Sequence, residues 1–237
     1  MYKESGYWDA RYAEERRLPG GHEWFGGYRD FAPLVRRELR PGMRGLVLGC
    51  GTSSLSVQLH KEGVSPLFSI DYSPVCIMEM AQRHADVPDM NWMVMDARQL
   101  QFPGGTFDLV IEKGTLDAMM VDEKDPWTVT QETTSLVDEV LSEVSRVLTP
   151  SGCFISITFS QPHFRIRHYA QPQYDWSVSY DTYGRDFHYF LYTMHKGRRL
   201  TPCDLEKGQS LQKPYVQEQV STLLESDNED FLSNIQI

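Results

Sequence analysis

From residue 45 to residue 159 short apolar runs alternate with amphipathic stretches. Gly45-Leu46-Val47-Leu48 runs into Gly49-Cys50-Gly51, and the next residues, Thr52 to His60, begin like a helix with Leu55 and Leu59 on one face. Leu67-Phe68-Ser69-Ile70 ends at Asp71, after which Ser73 is placed to cap a helix opened by Pro74. Trp92-Met93-Val94-Met95 predicts a third strand ending at Asp96, and Phe107 to Ile111 a fourth ending at Glu112. Val137, Val140, Leu141, Val144, Val147 and Leu148 trace one face of a helix over 136–148. Thr149-Pro150-Ser151-Gly152 reads as its end, and Cys153 to Phe159 as a fifth strand. Phe187 to Met194 predicts a last strand. Strands alternating with helices in this way predict an α/β fold, a parallel sheet covered on both faces.

The flanks have a different texture. Residues 1–40 are mixed and helical, with Tyr7, Trp8 and Tyr12 close together and Trp24-Phe25 before a glycine pair. They are expected to form a helical cap on a core spanning 41–200. The stretch 201–237 has weak periodicity and the acidic cluster Glu225-Ser226-Asp227-Asn228-Glu229-Asp230, and is expected to be a flexible tail.

Composition narrows the functional classes. The 237 residues are 41% hydrophobic and carry a formal net charge of −10. That charge argues against a surface that tracks nucleic-acid phosphates, and it suits a basic protein partner. Cys50, Cys76, Cys153 and Cys203 show no CxxC or Cys/His pairing at metal spacing, so neither a metal site nor a disulfide framework is expected. The polar N-terminal segment and the lack of a long apolar run lead to the expectation of a cytoplasmic protein with no membrane contact.

The polar groups at the strand ends carry the candidate chemistry. In open α/β sheets ligands lie across the carboxyl ends of the strands. Gly49-Cys50-Gly51 would let the backbone pass close to a ligand, and Asp71, at the next strand end, could accept hydrogen bonds from ribose hydroxyls. Asp96 could accept from an adenine amino group, and Glu112-Lys113-Gly114-Thr115-Leu116-Asp117 stands where chemistry would occur. Taken singly, each has a plainer reading: a tight turn, a helix cap, a surface ion pair, or aromatic residues such as Trp8 and Tyr12 packing a helix. Their order and spacing together favour a nucleotide-type cofactor. A nicotinamide-dependent oxidoreductase is the competing enzyme class, but Ser54 replaces the last small residue of its glycine fingerprint and no Tyr-x-x-x-Lys dyad is present.

Leu46-Val47-Leu48-Gly49-Cys50-Gly51-Thr52-Ser53, Ile70-Asp71-Tyr72-Ser73 and Met95-Asp96-Ala97 resemble the successive cofactor motifs of the seven-β-strand class I methyltransferases. Tyr7-Trp8-Asp9-Ala10-Arg11-Tyr12, Glu23-Trp24-Phe25-Gly26 and Glu112 to Asp117 resemble, more narrowly, the group that methylates lysines of translation elongation factor 1-alpha. The likeness extends through Asp125-Pro126-Trp127 and Pro162-His163-Phe164-Arg165 to His195-Lys196-Gly197. It implies a Rossmann-like sheet of seven strands with the last antiparallel, S-adenosylmethionine as cofactor with S-adenosylhomocysteine as product, and a monomeric enzyme whose partner is that elongation factor. By the same likeness Gly49 faces the methionine part of the cofactor, while Asp71 and Tyr72 hold the ribose and flank the adenine. Asp96 and Ala97 frame the adenine edge, Trp8, Tyr12 and Trp24 close over the cofactor, and Lys113 adds a contact. Glu112, Lys113, Gly114, Thr115, Leu116 and Asp117 correspond to the motif needed for activity. Two positions depart from the broad pattern: Val47 replaces an acidic residue and Ser53 a third glycine.

A lysine acceptor attacks as the neutral amine. With an ordinary pKa near 10.4, about one amine in a thousand is neutral at pH 7.4, a deficit of roughly 4 kcal/mol. A bare carboxylate beside the amine would deepen that deficit, so Glu112 and Asp117 are expected to fix the strand-end loop and orient the lysine or a water, rather than serve as simple bases. The alternatives are a small-molecule methyltransferase of the same fold and a non-catalytic cofactor-binding module. The absence of an Asn/Asp-Pro-Pro-Tyr/Phe motif after the fourth strand counts against methylation of base amino groups.

Overall fold

The computed structural model describes residues 5–15, 22–125, 127–185 and 187–211. After helices α1 (Ser5–Glu15) and α2 (Tyr28–Val35), the chain alternates β1 (Gly45–Leu48), α3 (Leu55–Lys61), β2 (Leu67–Asp71), α4 (Pro74–Arg83) and β3 (Met90–Val94). It continues through β4 (Phe107–Lys113), α5 (Thr115–Met119), α6 (Gln131–Val147), β5 (Leu148–Thr158) and α7 (Pro162–Tyr169). A short 3-10 turn at Pro172–Tyr174 leads into β6 (Trp176–Tyr183), β7 (Tyr189–Lys196) and α8 (Pro202–Ser210). The seven strands form one sheet in the order β3-β2-β1-β4-β5-β7-β6. The first five are parallel, while β7 runs antiparallel to both β5 and β6, as the resemblance implies.

Side-chain alternation along the central strands divides the core between the two faces of the sheet. Val47, Leu109, Ile111, Ile155 and Ile157 pack with α2, α3 and α4 on one side. Leu46, Leu48, Val110 and Phe154 pack with α6 and α7 on the other. Both faces are therefore dry, and β1 is buried at every position. The cap on α4 forms as its sequence predicts, with the Ser73 hydroxyl accepting from the Cys76 amide at 3.2 Å.

Several boundaries differ from the sequence reading. The third strand starts at Met90 rather than Trp92 and stops at Val94, because Met95 turns into the core, its amide donating to the Asp71 carbonyl. Thr149 to Gly152 do not end α6; they bulge within β5, which advances from Leu148 to Cys153 while β4 advances from Phe107 to Leu109. The aromatic stretch after Phe159 forms α7 and the edge strand β6. Helix α8, capped by Thr201, occupies the start of the stretch read as a tail, and the acidic cluster lies outside the described residues. Among the described residues no helix is long and apolar enough to cross a membrane.

Candidate active site

The carboxyl ends of β1, β2 and β4 open into a cavity of about 930 Å³, and α1 with His22, Trp24 and Phe25 forms the opposite wall. Every residue singled out from the sequence lines this cavity except Glu112 and Leu116. Leu116 is fully buried in the core beside α6.

Two tight turns shape the floor. Gly49 adopts φ +54°, and a Cβ there would lie 2.2 Å from Thr115 Oγ1. Glycine is thus demanded by the neighbouring loop, since the Thr115 hydroxyl must reach the Leu48 carbonyl at 3.0 Å. Asp71 is clamped between backbone amides, with Gly51 N–H donating to one oxygen at 3.1 Å and Ser73 N–H to the other at 3.0 Å. Burial nevertheless raises its carboxyl to about 6, against the pull of those amides and of Tyr12. Tyr72 stands beside it at the cavity wall. Asp96 reaches the wall with both oxygens already taken by Arg98, whose guanidinium holds that carboxyl below its usual range.

The lid joins the floor through side chains. Trp8 and Tyr12 stack at 5.6 Å on one face of α1, and the Arg11 guanidinium lies 5.4 Å from the Trp8 ring and 4.9 Å from that of Trp24. The Ser73 hydroxyl donates to Asp9 at 2.5 Å, tying α1 to the cap of α4. Glu23 receives Ser53 Oγ, Ser54 N–H, Ser54 Oγ and Lys113 Nζ, the last at 3.0 Å. Lys113 also donates to the Trp24 carbonyl at 2.8 Å. Burial lowers the Lys113 pKa, and Glu23 opposes that shift. Burial likewise works against the Glu23 charge, but Lys113 and Ser54 more than offset it and hold the carboxyl below its usual range.

Behind the floor lies a buried polar network. Glu112 is fully buried; it accepts from the Thr115 amide at 2.9 Å and the Leu116 amide at 3.3 Å, and from the Ser156 hydroxyl. Ser156 also hydrogen-bonds the Tyr169 hydroxyl at 2.6 Å. Burial first, then the Asp117 charge, raises the Glu112 carboxyl to about 7. Asp117 faces the cavity with its Oδ1 held by Arg165 at 2.5 Å and by the Thr158 hydroxyl at 2.6 Å. Its Oδ2 is buried without a hydrogen-bond partner among the described residues.

Residues 39–196 match the family model described as a methyltransferase domain. The chain belongs to the methyltransferase family. The match spans the sheet and its crossovers, while the lid precedes it. This methyltransferase is 51% identical to mouse EEF1A lysine methyltransferase 4, across the whole chain and 93% of that protein. It is 48% identical to the bovine protein of the same name, across 92% of it. Among solved structures it resembles magnesium protoporphyrin IX methyltransferase from Synechocystis, crystallised with bound SAM. That likeness has a TM-score of 0.56 at 20% identity, covers 81% of this chain and 94% of the other, and is one of fold.

Glu23, Thr158, Ser156, Arg165 and Tyr169 were given no role from the sequence, yet they hold the lid and the loop after β4. A carboxylate directly before Trp24 and the buried-face arginine of an aromatic helix that carries two were the available signals.

Proposed function

We propose that this methyltransferase transfers a methyl group from S-adenosylmethionine to a lysine side chain of translation elongation factor 1-alpha. The observation that carries the reading is the end-to-end match to the mouse enzyme named for that reaction. The cavity suits an adenosine bearing a cationic tail. All of Asp71, Trp8, Tyr12, Tyr72 and Asp96 line it; in this reading Asp71 is the carboxylate for ribose hydroxyls, the three rings are aromatic walls, and Asp96 serves the adenine edge. When bound, S-adenosylmethionine supplies an electrophilic methyl group on a positively charged sulfur.

The chain's own part is positioning and control of charge. Asp117 lines the cavity, and its Oδ2, buried and without a hydrogen-bond partner among the described residues, is the acceptor left for an arriving amine. Arg165, bound to Oδ1 at 2.5 Å, offsets the carboxylate charge that would otherwise hold the amine protonated. The rings of Phe25 and Phe159, 5.6 Å apart at the same wall, give an entering amine an apolar flank that favours its neutral form. Glu112 does not reach the cavity; its role is to fix the amides of Thr115 and Leu116, and through them the position of Asp117.

The test is labelled-methyl transfer to purified elongation factor 1-alpha by the wild type, Asp71→Ala and Asp117→Asn. One labelled band mapped to lysine is expected. Asp71→Ala should abolish it through lost cofactor binding. Asp117→Asn should lower kcat by about a hundredfold with cofactor affinity retained. Calorimetric binding of S-adenosylmethionine with no labelled protein would overturn the lysine reading while leaving the cofactor in place.

A further inference from the structure

Residues 121–125 and 127–132, from the end of α5 into the first turn of α6, are held by several hydrogen bonds yet present a tryptophan to solvent. Trp127 is 50% exposed. Its amide donates to Asp125 at 2.9 Å, its carbonyl receives Arg167 at 3.0 Å, and Glu123 binds both the amide and the hydroxyl of Thr130. Its ring stacks on His163 at 5.3 Å and meets the ring of Phe164, a cavity-lining residue, edge-on at 4.8 Å. Val121, Phe159 and Phe187 are also large and exposed and line the same cavity, so its mouth carries an apolar patch. The segment carries Asp122, Glu123, Asp125 and Glu132 against the single cation Lys124. Of the nearby arginines, Arg98 and Arg165 are paired with Asp96 and Asp117, while Arg167 donates to the Trp127 carbonyl.

We infer that the segment 121–132, centred on Trp127, is a docking surface for a basic stretch of the protein substrate, gripping an arginine or lysine beside the lysine that enters the cavity. The inference rests on the protein-lysine reading proposed above and names the class of sequence that reading requires. The Trp127 ring offers a face to a cationic side chain, and the surrounding carboxylates complement its charge. Because the ring abuts Phe164, an extended chain with one lysine in the cavity brings its neighbouring residues over Trp127. The net negative charge of the segment also guides a basic chain in and turns an acidic one away.

The experiment uses two fluorescein-labelled peptides with the same central lysine, one flanked by arginines and the other by glutamates. Their binding to the wild type, Trp127→Ala and Glu132→Lys is followed by anisotropy, with melting temperature and S-adenosylmethionine affinity measured alongside. The arginine peptide should bind the wild type at least about tenfold tighter than the glutamate peptide, and each substitution should remove most of that preference. For intact elongation factor 1-alpha, KM should rise about tenfold in each variant with kcat unchanged. Glu132→Lys, at an exposed position, separates recognition from any loosening of the loop in Trp127→Ala. Equal binding of the two peptides, or an unchanged KM in Glu132→Lys, would overturn the inference. A wild type that prefers the arginine peptide but methylates no protein keeps the docking surface and removes the reaction assigned to it. Methylation with no peptide preference does the reverse.

Discussion

Glu112 has lost all contact with water, and its carboxyl is raised to about 7 from an ordinary value of 4.5. A raised carboxyl keeps its proton in the folded chain after the unfolded chain has released it, so stability from this group is full below pH 4.5 and lost as pH rises toward 7. Glu112→Gln keeps an acceptor for the Thr115 and Leu116 amides and removes the ionisation. The variant should match the wild type in melts at pH 4 and exceed it at pH 8 by up to about 3 kcal/mol. A variant less stable than the wild type at pH 8 would show that the ionised carboxylate itself holds the loop. Asp71 belongs to the same class, raised to about 6 by burial, but the task proposed for it differs. Hydroxyl groups of a ligand need it ionised, so affinity for S-adenosylmethionine should be flat above pH 7 and weaken by about tenfold for each unit of pH below 6. Asp71→Asn should bind weakly at every pH; calorimetry across pH 5 to 8 reads both.

At the scale of elements, the sheet supplies a rigid row of strand ends, and the lid is bolted to it by a few polar side chains. Glu23 is the main bolt, since it draws Ser53, Ser54 and Lys113 together from the ends of β1 and β4. Replacing it with glutamine leaves the Lys113 ammonium, 4% exposed, with a neutral partner. Loss of a fully buried ion-pair partner costs about 3–5 kcal/mol, and the partial exposure of Glu23 reduces this to about 1–3 kcal/mol. Glu23→Gln should therefore lower the melting temperature and weaken cofactor binding together, as circular-dichroism melts and calorimetry would record. Unchanged cofactor affinity would mean that the lid closes without this pair. Helix α7 plays the matching part beneath the floor, carrying both Arg165 and Tyr169.

In the whole molecule, one sheet backs both halves of the core, so neither half can open without exposing the other. Calorimetric unfolding of the described core should follow a single transition. S-adenosylmethionine at a hundred times its Kd should add about 2.7 kcal/mol and raise that transition by about 5–10 °C. Two resolved transitions, with only one moved by the cofactor, would show that the lid and its helices unfold apart from the sheet. The strands β1, β2 and β4, the Ser73-Pro74 helix start and the polar groups at the strand ends were all legible in the sequence, because alternation, capping and turn chemistry act over a few neighbouring residues. So was the face of α6, from its apolar spacing. The edge strand β6 was not, because its aromatic and polar residues become a strand through pairing with β7 rather than through a period of their own. The clamp of Glu23 on Lys113, the pairing of Arg165 with Asp117 and the seating of Glu112 out of reach of the cavity were equally hidden. Local pattern therefore determined which residues stand at the strand ends, while the folded chain alone decided which of them line the cavity and which are sealed behind it. Those contacts join residues far apart in the chain, and burial and charge pairing across them arise only when the sheet has brought its strand ends together.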